Sequence, residues 1–153
     1  MKKNKKFCFI ILLFWSFNLF AQNELSLGSA VFITKGWGAN VTGDFKVAPI
    51  GSKAYLAAGA YLFGVQTTSH EQSHDGEKIL DFYAAPQASV HYRFTENFDC
   101  FIRGGPGLFF STGLKPRFLL NAELGASLYF SKHVGARIEL GLPFSSLGLT
   151  FRL

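Results

Sequence analysis

Two short stretches of this 153-residue chain carry residue types that could do chemistry. His70–Glu71–Gln72–Ser73–His74 matches H-E-x-x-H, the arrangement that puts two zinc-binding imidazoles and a general base on one helix face. Its flanks, Gln66–Thr67–Thr68–Ser69 and Asp75–Gly76–Glu77, are polar and turn-like, so no helix is indicated and no third ligand is evident. The stretch reads as a solvated loop tip, and no metal is assigned to it. Ser89 and His91 could support acyl hydrolysis, which needs a hydroxyl beside a base. Residues two apart on a strand are also an ordinary polar pair on one face. No third, orienting group can be named from the sequence, so the chain is read as a non-enzyme. Gly104–Gly105–Pro106–Gly107 lacks the strand-then-helix context of a phosphate loop. His133 reads as a turn residue, and Trp37, in Lys35–Gly36–Trp37–Gly38, as an interface anchor. No cofactor is expected.

The composition places these residues in an exported chain. Lys2, Lys3, Lys5 and Lys6 precede the apolar run Phe7–Phe20, and Ala21 offers a small residue for cleavage. That is the layout of a secretory signal, and the run is short for a spanning helix. Without residues 1–21 the formal charge of +5 falls to +1, because four lysines leave and no acid does. The case for a nucleic-acid partner goes with them. Only Cys100 remains of the two cysteines, so no intramolecular disulfide can form.

Residues 22–153 form one domain whose patterning has period two and no clear helical period. Leu147, Leu149, Phe151 and Leu153 alternate with Gly148, Thr150 and Arg152. Comparable alternation runs through Val134–Leu142, Leu120–Phe130, Phe98–Phe110, Leu80–Phe94, Val41–Val47 and Leu25–Ile33. Ala54–Val65 is uncharged and could be apolar on either face. The pattern predicts eight strands. Tight connections at Ala48–Lys53, Thr95–Asn97 and Ser131–His133 alternate with mostly looser ones at Thr34–Ala39, Gln66–Lys78, Ser111–Arg117 and Pro143–Ser146. Outer-membrane barrels place short turns at one end and longer loops at the other.

Alternation also sorts the side chains. Asp44, Lys46, Asp81, Arg93, Asp99, Arg103, Glu123, Arg137, Glu139 and Arg152 all project to one face, half of them acidic and half basic. Inside a water-soluble barrel so many charges would be costly to desolvate. A membrane barrel is apolar outside and polar within. The ten charges are expected to form a packed ion-pair plug, since eight strands enclose little more than their own side chains. On the other face, Phe94, Phe98 and Phe130 are expected beside the tight turns, and Phe82, Phe110, Phe118 and Phe144 beside the loops. Two aromatic belts would suit the two membrane interfaces.

The leader, the loop alternation and the final strand Leu147–Gly–Leu–Thr–Phe–Arg–Leu153 together resemble the small eight-stranded outer-membrane barrels, the OmpX-like proteins and the OmpA membrane domain. The passage Leu80–Asp–Phe–Tyr–Ala–Ala–Pro86, with Tyr92–Arg–Phe94 and Asn97–Phe98, is similar to the fourth and fifth strands of the outer membrane protein β-barrel domain family. The resemblance implies an up-and-down antiparallel transmembrane barrel in the outer membrane, with both termini on the periplasmic side. It implies outer-membrane lipid and the barrel-assembly machinery as partners, and a structural or surface-interaction role. A narrow channel, or a secreted soluble barrel binding an apolar ligand, are the alternatives. Leu153 stands where the family usually ends on an aromatic. Pro86 and Pro106 fall inside strands, where each removes a ladder hydrogen bond, so bulges or local irregularity are expected there.

Overall fold

The computed structural model describes residues 23–32, 36–68, 78–112 and 114–153. The proposed leader and His70–His74 lie outside the described residues. Eight strands follow in chain order: β1 (Asn23–Phe32), β2 (Gly36–Pro49), β3 (Ala54–Thr68), β4 (Lys78–Thr95), β5 (Phe98–Ser111), β6 (Arg117–Tyr129), β7 (Val134–Leu142) and β8 (Phe144–Arg152). Each pairs antiparallel with the next, and β8 returns to β1 to close the barrel. The closing register runs from Glu24 opposite Arg152 to Phe32 opposite Phe144. Closure leaves no sheet edge, which a strand structure in hydrocarbon requires because no water is there to take up free N–H and C=O groups.

The strands form because β-branched, aromatic and leucine residues alternate with small or polar ones, and the sheet gives each set its own face. Leu27, Val41, Leu62, Ile102, Leu124, Leu140 and Leu147 stand on the outside with large exposed areas. This apolar band encircles the molecule, far more than the few hundred Å² that a soluble monomer exposes in one patch. In β3 the ambiguity of register resolves with Tyr55, Ala57, Tyr61, Phe63 and Val65 buried inside.

Two of the expected loops are shorter than their composition suggests. β2 already begins at Gly36, and Pro143 alone separates β7 from β8. Long connections at that end are confined to residues 69–77 and 112–116. At the other end the turns are held by backbone bonds such as Arg93 N–H to Lys53 C=O (2.7 Å) and Arg152 N–H to His133 C=O (2.8 Å). His133 occupies a turn there, and its Nδ1 lies 3.1 Å from the same Arg152 carbonyl.

The prolines produce irregularity but no bulge. Pro86 stands opposite Pro106 across β4 and β5, and neither can donate. The ladder is interrupted across residues 85–87 and 105–107, while Ala84–Leu108 and Ala88–Gly104 keep one register on either side. On their other flanks the pairing is unbroken, with Ala60 opposite Pro86 and Pro106 opposite Leu120. Both prolines thus turn their missing N–H toward the same seam. The true register shifts fall near the tight turns, at Lys46/Ala48 and Arg93/Thr95.

Candidate functional site: the barrel lumen

The inward face of every strand meets its neighbours across a lumen only a few side chains wide. At its centre two guanidinium groups are locked among four carboxylates. Arg103, from β5, lies 2.5 Å from both Glu123 and Glu139 and 3.6 Å from Asp44. Arg137, from β7, lies 2.9 Å from Asp44, 2.7 Å from Glu139 and 3.5 Å from Glu24. Its Nη1 also donates to Ser26 Oγ, and Ser146 Oγ donates to Glu139. Both guanidiniums sit on aromatic faces, Arg137 4.0 Å from the Phe101 ring centroid and Arg103 5.5 Å from that of Tyr61. Planar, always-charged arginine suits this use, because one fork satisfies several carboxylates at once.

Of the ten expected lumen charges, Asp44, Arg103, Glu123, Arg137 and Glu139 meet in this lattice. Arg152 reaches it through Glu24, at 3.7 Å. Lys46 and Arg93 instead flank the Tyr55 ring at the turn-side mouth, 5.2 and 5.7 Å from its centroid. Asp81 is buried at the loop end, where its register partner is Ser111. Asp99 is buried beside His91. Glu24 was not among the expected members, although it alternates with Leu25 and Leu27 as an inward residue must.

The lumen also holds a wall of aromatic side chains that alternation alone did not assign. Phe144 is the correction. It was expected on the lipid face, but it is fully buried inside the barrel. A loop over residues 143–146 would leave its parity undefined. With β8 starting at Phe144, that residue shares the inward parity of Ser146, Gly148 and Thr150. Its ring packs on Phe63, Tyr83 and Tyr61 at centroid distances of 4.8, 4.7 and 5.4 Å. With Val65, Ala85 and Phe109, these rings close the loop side of the lumen. The expected outer aromatics Phe82, Phe94, Phe110, Phe118 and Phe130 are exposed outside, and Phe98 is half-buried. Phe82 packs on Phe110 near the loops and Phe94 on Phe98 near the turns. Trp37 is exposed at the loop end of β2.

The cavity beside Arg137, lined by Ser26, Asn40, Glu139 and Ser146, measures about 10 Å³. That is space for about one water. Among the described residues no group of three His, Cys, Asp or Glu side chains is placed to hold a metal ion.

One constellation was invisible in the sequence. His91 Nε2 lies 3.1 Å from Ser89 Oγ, and its Nδ1 lies 3.4 Å from Asp99 Oδ1. The third group that the Ser/His pair lacked comes from β5. No spacing rule could have found it, because it depends on the β4–β5 register around Arg93/Thr95.

The fold is that of the small transmembrane β-barrels. A de novo designed transmembrane β-barrel superposes with a TM-score of 0.55 at 12% identity, covering 88% of this chain and 97% of the design. The attachment invasion locus protein Ail of Yersinia pestis, in its complex with the heparin analogue sucrose octasulfate, superposes at 0.54 and 12% identity, covering 86% of this chain and 97% of Ail. No protein-family model and no curated protein matches the sequence.

Proposed function

We propose that this chain is an exported, integral outer-membrane barrel whose plugged lumen makes it a rigid carrier for its outward loops, with a structural or surface-interaction role. The observation that carries this is the inverted polarity. Buried arginines and carboxylates fill the inside while leucine, valine, isoleucine and phenylalanine cover the outside. A wall of that kind is stable when hydrocarbon surrounds it. The residues 69–77 and 112–116 would then face the exterior, with Trp37 and the loop-side phenylalanines at the lipid interface. Ail, an attachment protein of the same fold, supports a surface-contact role over a transport one. Outer-membrane lipid and the barrel-assembly machinery are the partners this reading requires.

The plug is tested by conductance. The refolded mature chain in a planar bilayer should give no steady single-channel steps. Reproducible ohmic steps would replace this reading with the narrow-channel alternative.

A further inference from the structure

Ser89, His91 and Asp99 have the mutual geometry of a nucleophile, a base and an orienting carboxylate. Asp99 accepts a hydrogen bond from Tyr55 Oη (2.9 Å) through one oxygen and turns the other to His91 Nδ1. His91 Nε2, 3.1 Å from a Ser89 Oγ that also donates to the Ala57 carbonyl (3.5 Å), is placed to take the Ser89 proton, and Asp99, 3.4 Å from Nδ1, to steady the cation that forms. The imidazole cannot rotate away, because it is sandwiched between the rings of Tyr55 and Phe101 at centroid distances of 4.6 and 5.0 Å.

The wall beside this row carries a gap in its ladder. The Pro86–Pro106 seam, where the ladder is interrupted, begins two residues from Ser89. On the outer face next to the seam, the small register partners Ala88 and Gly104 leave a depression between Leu56, Val90 and Ile102. This apolar cavity measures about 220 Å³, and its lining includes Ser89 and Arg103. In a bilayer such a cavity faces acyl chains.

We propose that Ser89, His91 and Asp99 form a serine acyl-transfer site for carboxylic esters of membrane lipids, which enter from the bilayer through this cavity. Ser89 is buried, so an ester reaches its Oγ only when the seam parts. The bonds already absent at the seam lower the number that such a parting must break. Ser89 Oγ then bonds to the ester carbonyl carbon and its proton passes to His91 Nε2. The carbonyl electron pair moves to oxygen, with the positive charge of Arg103, the register partner of Ser89, nearby. Collapse re-forms the carbonyl and breaks the ester C–O bond, and the leaving alkoxide takes the proton from His91. Water then adds to the acyl-serine, giving its proton to His91, which returns one to Ser89 Oγ as the carboxylic acid departs. This goes beyond the plugged-barrel reading, in which Arg103 serves only as a member of the central ion-pair lattice.

The test uses the mature chain folded in phospholipid vesicles and treated with a long-chain alkyl fluorophosphonate, which loses fluoride to an activated serine. Peptide mass spectrometry should find the adduct on Ser89. The adduct should be absent from Ser89→Ala. It should also be lost in Ala88→Leu, which fills the cavity from the lipid side and leaves the three side chains intact. All three proteins should keep the gel mobility of the folded barrel when unheated. A folded wild-type barrel with no adduct on Ser89 overturns the proposal, and so does undiminished labelling of Ala88→Leu. Either result leaves the plugged-barrel reading standing, because conductance tests that separately.

Discussion

Arg137→Ala is expected to destabilise the folded barrel by about 3–5 kcal/mol, the range for removing one partner of a buried ion pair. The size follows from what remains behind. Glu24, Asp44 and Glu139 all face Arg137 in a sealed space, and each is nearly fully buried. Arg103 still serves Glu139 and Asp44, but the remaining cation beside Glu24 among the described residues is Arg152, at 3.7 Å. The cation is lost from the Phe101 face as well. Three like charges without their main counter-ion must then take up protons or admit water. Urea unfolding in lipid vesicles, followed by the fluorescence of Trp37, measures the change. The triple variant Arg137→Met, Asp44→Asn, Glu139→Gln should recover most of the loss, because neutral side chains leave far less charge to desolvate. If Arg137→Ala alone unfolds at the wild-type urea concentration, the lattice is not what holds the lumen.

Leu124→Arg carries the second large effect. Leu124 lies in the middle of β6, exposed on the outside between Ala122 and Ala126. A cation there would face hydrocarbon, which costs a transmembrane barrel about 2–4 kcal/mol at the bilayer midplane and about 0–1 near the interface. Leu153→Arg, at the turn-side end of the barrel, should therefore be nearly neutral in the same urea experiment. In a soluble barrel both positions would be washed by water, and neither substitution would matter. Equal and small effects at the two positions would thus contradict the placement of this wall in a membrane.

How much of this could be read from the residues depends on how local the cause is. Strand number and the inward charges follow from parity, which is a property of a single strand. Arg103, Glu123, Arg137 and Glu139 could be assigned in that way. The partnership of Arg137 with Asp44, on a strand far away in sequence, needed the closed barrel. Aromatics misled wherever parity was ambiguous. β3 offers Tyr55, Tyr61 and Phe63 on one face and Leu56 and Leu62 on the other, and hydrophobicity alone cannot say which set meets lipid. The inner set wins because phenol rings carry a polar end and provide faces on which guanidiniums stack. Phe144 escapes the parity rule because its composition reads as loop, whereas the connection between β7 and β8 is the single residue Pro143. The prolines were correctly marked as disruptive. The outcome was a gap and not a bulge, because Pro86 and Pro106 face each other and concentrate both losses at one point. Asp99 was assigned to the lumen, yet its place beside His91 rests on a cross-strand register that no single strand encodes.

The central claim is that a closed barrel stands in the membrane with its polarity turned inside out. Gel mobility tests this most directly, on the chain extracted in detergent from an outer-membrane fraction and run with and without boiling. A closed barrel keeps its ladder in detergent at room temperature and loses it on boiling. The account predicts two distinct mobilities, and a single mobility under both conditions would contradict it.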